Sequence, residues 1–168
     1  MWCRRTSRGA PYGCSRHRRS RRYVRLEHEK TIILELQGFQ QTHPAPAVEV
    51  SHQVGQLLQR IHADLFDSNL SVKTLKGRCK IADNNVSCRF KYEVGVSIRD
   101  YVESMRIDAA QHLLQTGLYT VFEVAQALGY CNAQTFYRAF ARRFNWTPGR
   151  MQSQHTAGRM RTNLIRDP

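Results

Sequence analysis

An all-α fold follows from three features of this 168-residue sequence. Apolar residues recur at intervals of three and four, short segments open on Ser or Thr and close on Gly, and a pair of such segments returns about 50 residues further on. The resulting architecture is two short helix-turn-helix subdomains joined by one long linker helix, preceded by a basic disordered N-terminal arm.

Residues 1–25 hold nine arginines among Gly, Ser and Pro with little apolar periodicity, the composition of a segment that cannot bury enough surface to order itself. Residues 31–39 (TIILELQGF) read as a short strand or the stub of a longer domain, and the X-Pro steps in 42–48 favour an extended linker. The domain division is therefore 1–50 as basic arm and linker, 51–152 as the folded domain and 153–168 as a C-terminal tail.

From Val54 the apolar positions Val54, Leu57, Leu58, Ile61 and Leu65 predict a helix that ends near Asp67–Asn69. Ser71 is placed as the N-cap of a short helix through Cys79, with Val72 and Leu75 inward. A tight turn over Lys80–Asp83 leads to a helix from Asn84 to Val94, with Val86 and Phe90 inward and Gly95 as its left-handed stop. Residues 98–116 form the linker helix, roughly 28 Å long, with Tyr101, Val102, Met105, Ala109, Leu113 and Leu114 inward and Gly117 closing it. Thr120 and Glu123 make a capping box ahead of a short helix over 121–128, which Gly129 ends. The last helix, 133–144, sets Phe136, Phe140 and Phe144 at intervals of four as a core-facing back, with its arginines on the other side.

The net charge is +13 and the pI about 10.2. Residues 51–168 alone carry sixteen basic against nine acidic side chains, so the folded part attracts a polyanion without help from the arm. Five cysteines at 3, 14, 79, 88 and 131 show no CxxC pair and read as reduced cytoplasmic thiols. The longest apolar run, 31–36, is too short for a signal or a membrane span. No nucleophile–base set, paired carboxylates or phosphate-cradling glycine loop is present, and Cys3, Cys14 and His17 lack four-cysteine spacing, so neither an enzyme, a cofactor nor a metal is expected.

The segment VFEVAQALGYCNAQTFYRAFARRFNWTP, 121–148, resembles the C-terminal signature of AraC/XylS transcription regulators. The likeness rests on Ala125, Gly129, Tyr130, the Phe136-x-Arg138-x-Phe140 pattern, Phe144 and Thr147–Pro148. Upstream, Arg106, Ile107, Ala110, Leu113 and Leu114 resemble the family's linker helix, and Leu70, Leu75, Phe90, Lys91, Gly95 and Ser97 resemble its first helix-turn-helix. That first unit departs from the pattern at three places: Lys76 stands for a small alanine, Lys80 for the turn glycine and Cys88 for an arginine that faces DNA.

The resemblance implies a sequence-specific transcription regulator, an activator, that binds double-stranded promoter DNA and contacts RNA polymerase in the bacterial cytoplasm. It makes Gln134, Thr135 and Arg138 the base readers of the second unit, a role their chemistry suits: Gln bridges adenine, Arg grips guanine and the Thr methyl meets that of thymine. Arg142 and Arg143 are placed as phosphate contacts. In the first unit Asn84, Asn85 and Ser87 are the candidate readers, with Arg89 and Lys91 at the periphery. Residues 1–50 leave no room for the effector or dimerisation domain of many relatives, so a short regulator set by its own abundance and a degenerate, truncated remnant both stay open. A nonspecific basic nucleic-acid binder is the alternative from a different class.

Overall fold

The computed structural model describes residues 15–45 and 49–154, and every regular element among them is a helix. Seven run in order: α1 Ser15–Thr42, α2 His52–Ala63, α3 Val72–Arg78, α4 Val86–Val94, α5 Ile98–Thr116, α6 Val121–Ala127 and α7 Ala133–Phe144. Residues 148–154 are helical as well.

The helices build two cores that share α5. Val54, Leu57, Leu58 and Ile61 of α2 meet Leu75 of α3, Val86 and Phe90 of α4 and Ile98 at the start of α5. The second core gathers Ala110, Leu113 and Leu114 from the far end of α5, Val124 and Leu128, and Phe136 and Phe140 of α7. Phe66 and Met105 touch both. The repeat expected from sequence is therefore two small cores threaded on one helix, each too small to bury its apolar faces alone.

Local chemistry sets most boundaries. Ser71 and Thr74 form a capping box at α3, and Thr120 and Glu123 form another at α6. Ser97 and Asn132 each accept a first-turn amide, from Asp100 and Gln134. Gly95 and Gly117 end α4 and α5 with φ of 86° and 66°, left-handed values that a Cβ would strain.

Three expectations need correction. Residues 31–39 are helical rather than a strand: Ile32, Leu36 and Phe39, spaced four and three apart, bury against α5 and α6, and the chain is helical from Ser15. Packing thus crosses the boundary expected at residue 50, and Gln40 Nε2 also donates to the His62 carbonyl of α2 (2.7 Å). Residues 1–14, 46–48 and 155–168, which hold most of the expected arm, part of the linker and the tail, lie outside the described residues.

The second correction is to α2, which stops at Ala63 rather than near Asp67. Arg78 bridges the Asp64 and Asp67 carboxylates (2.7 and 2.8 Å), and the Asp67 amide turns back to the Asp64 carbonyl (2.9 Å), so the chain folds into a turn while Leu65 still reaches the core. Third, Val72 faces outward, 36% exposed, and only Leu75 of α3 is buried.

Candidate nucleic-acid interface

In the second unit the apolar back of α7 dictates its front. Phe136 and Phe140 are fully buried, their rings 5.7 Å apart, and the Phe144 ring packs tilted against Phe140 at 4.8 Å. That rotation leaves Gln134, Thr135 and Arg138 exposed at the N-terminal half of the helix. Arg138 makes no ion pair among the described residues. Arg142 and Arg143 instead lean back on α5, to Glu103 and to Asp108 (3.6 Å), and the hydrogen bond that Arg142 donates to Glu103 raises the Arg142 pKa above its ordinary value. Both pairs are solvent-exposed, and such pairs are weak enough to be exchanged for phosphates.

The first unit is arranged differently. Asn84 and Asn85 precede α4 instead of opening it: Asn85 is its N-cap with an unused side chain, and its amide donates to Asp83 Oδ1 (2.7 Å). Arg89 is exposed and pairs with Asp83 (2.9 Å) and Gln53 (3.0 Å). Ser87 is half-buried, while Lys91 and Cys88 are exposed. Lys76 runs its stem out of the helix contact and donates from Nζ to Asn84 Oδ1 (3.1 Å). Lys80 takes φ of 54°, the left-handed conformation for which a glycine is the unstrained choice.

Sequence reasoning placed Arg106 on the linker helix but missed what it does. This guanidinium is 9% exposed and donates to the carbonyls of Leu65 (2.8 Å), Asp67 (2.7 Å) and Gly129 (3.4 Å). It also lies 5.8 Å from the centre of the Tyr130 ring. Burial lowers its pKa. Its acceptors come from the α2–α3 loop and the α6–α7 turn, so one side chain ties the two units together. Gly129 completes the contact at φ of 78°: a Cβ there would stand 2.6 Å from the Phe66 carbonyl oxygen. An arginine between Met105 and Ile107 on a helix otherwise packed with apolar residues was the available signal.

Among the described residues no group of three or more His, Cys, Asp or Glu side chains is placed to hold a metal ion, and no helix is long and apolar enough to cross a membrane.

A family described as a helix-turn-helix domain matches residues 77–154. The chain is 33% identical over 98 residues to the uncharacterized HTH-type transcriptional regulator YtdP of Bacillus subtilis, covering 58% of this chain and 13% of that protein. It is 32% identical over 68 residues to the xylose operon regulatory protein of Escherichia coli, covering 40% of this chain and 17% of that one. The chain thus spans less than a fifth of either relative. Among solved structures, the C-terminal domain of AraT, a response regulator from Geobacillus stearothermophilus, superposes with a TM-score of 0.59 at 22% identity, over 63% of this chain and 88% of that one. The DNA-binding domain of AdpA, solved in complex with a target DNA, does so with a TM-score of 0.57 at 24% identity, over 65% and 97%. With two helix-turn-helix units on one linker helix, this chain has the fold of those domains and of a probable AraC family transcriptional regulator from Rhodopseudomonas palustris (TM-score 0.55, 22% identity, over 62% and 98%), and its residues 77–154 match the helix-turn-helix family.

Proposed function

We propose that the chain is a sequence-specific regulator of transcription that reads two adjacent major-groove segments of promoter DNA, with α7 as the dominant reader. The observation that carries this reading is the contrast between the two units: Arg138 stands on an exposed helix front with no ion pair among the described residues, whereas Arg89 of the first unit pairs with Asp83 and Gln53 and must exchange them to meet DNA. Gln134 and Arg138, one helical turn apart, suit bidentate contacts to adenine and guanine, and Thr135 suits the thymine methyl. Arg142, Arg143 and Lys91 serve phosphates, which add affinity without choosing sequence. Asn84, Asn85 and Ser87 make the weaker contacts of the first unit.

The same proposal makes the protein an activator in the bacterial cytoplasm with RNA polymerase as its second partner, a reading supported by the family. Selection of bound sites from a random duplex library at fixed physiological salt tests it, with the full chain and with Arg138→Ala. A bipartite motif whose α7 half blurs in the variant is expected, at a cost of about 1–3 kcal/mol against the preferred base pair. Absence of any motif from the wild-type chain overturns the reading in favour of a nonspecific basic binder. In vitro transcription from a selected site then separates activation from repression.

A further inference from the structure

Between the two units runs a half-open cleft of about 450 Å³. One wall is Ser71, Val72 and Leu75 of α3, the floor is the first two turns of α5, and the other wall is the α6–α7 turn with Thr135. We infer that this cleft receives the sugar–phosphate backbone of the DNA strand lying between the two reading helices, and that Arg99 grips its phosphate. The inference rests on the DNA-reading function proposed above.

The observations are these. Arg99, at the second position of α5, lines the cleft and forms no ion pair among the described residues. Arg106 adds a second positive charge at the floor, hydrogen-bonded to backbone carbonyls, which carry no net charge, rather than paired with a carboxylate. The acid that also lines the cleft, Glu103, is taken by Arg142. The space is therefore net positive, which selects an anion. Most of its lining is nonetheless apolar, and Val72, the residue that sequence periodicity would have buried, shows an uncovered methyl face there. A phosphodiester with its deoxyribose offers both halves of that chemistry: an anion for Arg99 and an apolar ring face for Val72 and Val102.

Placement argues for a polymer rather than a small effector. Thr135 is next to Gln134 on the reading face of α7 and lines the cleft itself, so a duplex seated on α7 passes its mouth. The cleft is half-open rather than enclosed, whereas enclosed pockets suit small ligands.

The experiment measures binding of the full chain to a selected site and to a scrambled duplex across a salt series. One phosphate contact contributes about 0.9 to the slope of log K against log salt, which is about fivefold in affinity at 150 mM. For Arg99→Gln the expected result is a slope shallower by about 0.9 and a loss of about fivefold on both duplexes alike, with the selected motif unchanged. Arg99→Lys should restore the slope. Val72→Glu, which sets a carboxylate in the cleft while suiting the first turn of a helix, should weaken binding to both duplexes with an unchanged melting temperature. A wild-type slope in Arg99→Gln, or wild-type affinity in Val72→Glu, overturns the inference and leaves the cleft to a free anion or a protein segment. Failure of the regulator reading shows separately, as the absence of a motif from the wild-type chain, and the slope on scrambled duplex still reads the cleft.

Discussion

Replacing Gly129 by alanine asks whether the two units are locked together by direct backbone contact. Two penalties combine there. A side chain at φ of 78° costs roughly 1 kcal/mol wherever it occurs. The new Cβ would also stand 2.6 Å from the Phe66 carbonyl oxygen, 3.1 Å from the Ser68 amide nitrogen and 3.2 Å from an Arg106 nitrogen. Two of those neighbours are backbone, so the turn or the α2–α3 loop must move, and overpacking of this kind costs about 1–3 kcal/mol. Gly95 supplies the control: its φ is 86°, but a Cβ there meets nothing within 4 Å. Gly129→Ala should therefore lose about 3 kcal/mol and Gly95→Ala about 1 kcal/mol. For a domain of this size these correspond to falls in Tm of roughly 12 and 4 °C. Urea titrations with parallel thermal melts measure both. Equal losses in the two variants would refute the argument, because the shared backbone strain would then account for everything and the interunit contact would contribute nothing.

Phe39→Ala should destabilise the chain by about 2–4 kcal/mol through the cavity left between α1 and α5; a loss under about 0.5 kcal/mol in urea titration, within the range of a surface change, would show that α1 is not docked. Thr120→Ala should cost about 1 kcal/mol as α6 loses its cap, with Thr120→Ser close to wild type in thermal melts; equal melts for all three would remove the capping box as a determinant. Burial lowers the His62 pKa from its ordinary 6.5, and its Nε2 lies 2.8 Å from Tyr101 Oη. The unfolded chain then binds the proton more readily than the native one, so stability is full above pH 6.5 and falls as pH drops through the lower native value. His62→Gln should flatten that limb between pH 7.5 and pH 5.5 in urea midpoints, and an unchanged slope would assign the pH dependence elsewhere.

Much of this protein is written in short-range chemistry. Thr120 with Glu123, Ser71, Gly95, Gly117 and the Phe136–Phe140 stripe act within one or two helical turns, so the bounds of α5 and α7 and the core face of α7 were legible from residue order. The exposure of Gln134, Thr135 and Arg138 follows from that same rotation. Residues 31–39 show where such reading runs out: Ile32, Leu36 and Phe39 carry a helical period, but in so short an apolar run a strand reads equally well, and only the docking face of α5 and α6 decides. The turn after Ala63 likewise depends on Arg78, eleven and fourteen residues from the aspartates it bridges.

Charge pairing is the other part that residue order could not supply. Arg89, Arg138, Arg142 and Arg143 look alike in sequence, and the tertiary structure sorts them by which carboxylate reaches each guanidinium. Arg106 is the extreme case, since its acceptors lie 23 to 41 residues away and meet it only once both units are folded. Sequence by itself determined most of the helices, their caps and the core-facing side of α7, because those are set by propensity and period. Tertiary structure alone decided how the two units are joined, where the cleft between them lies and which arginines form ion pairs among the described residues, because each of these depends on groups far apart in the chain meeting in space.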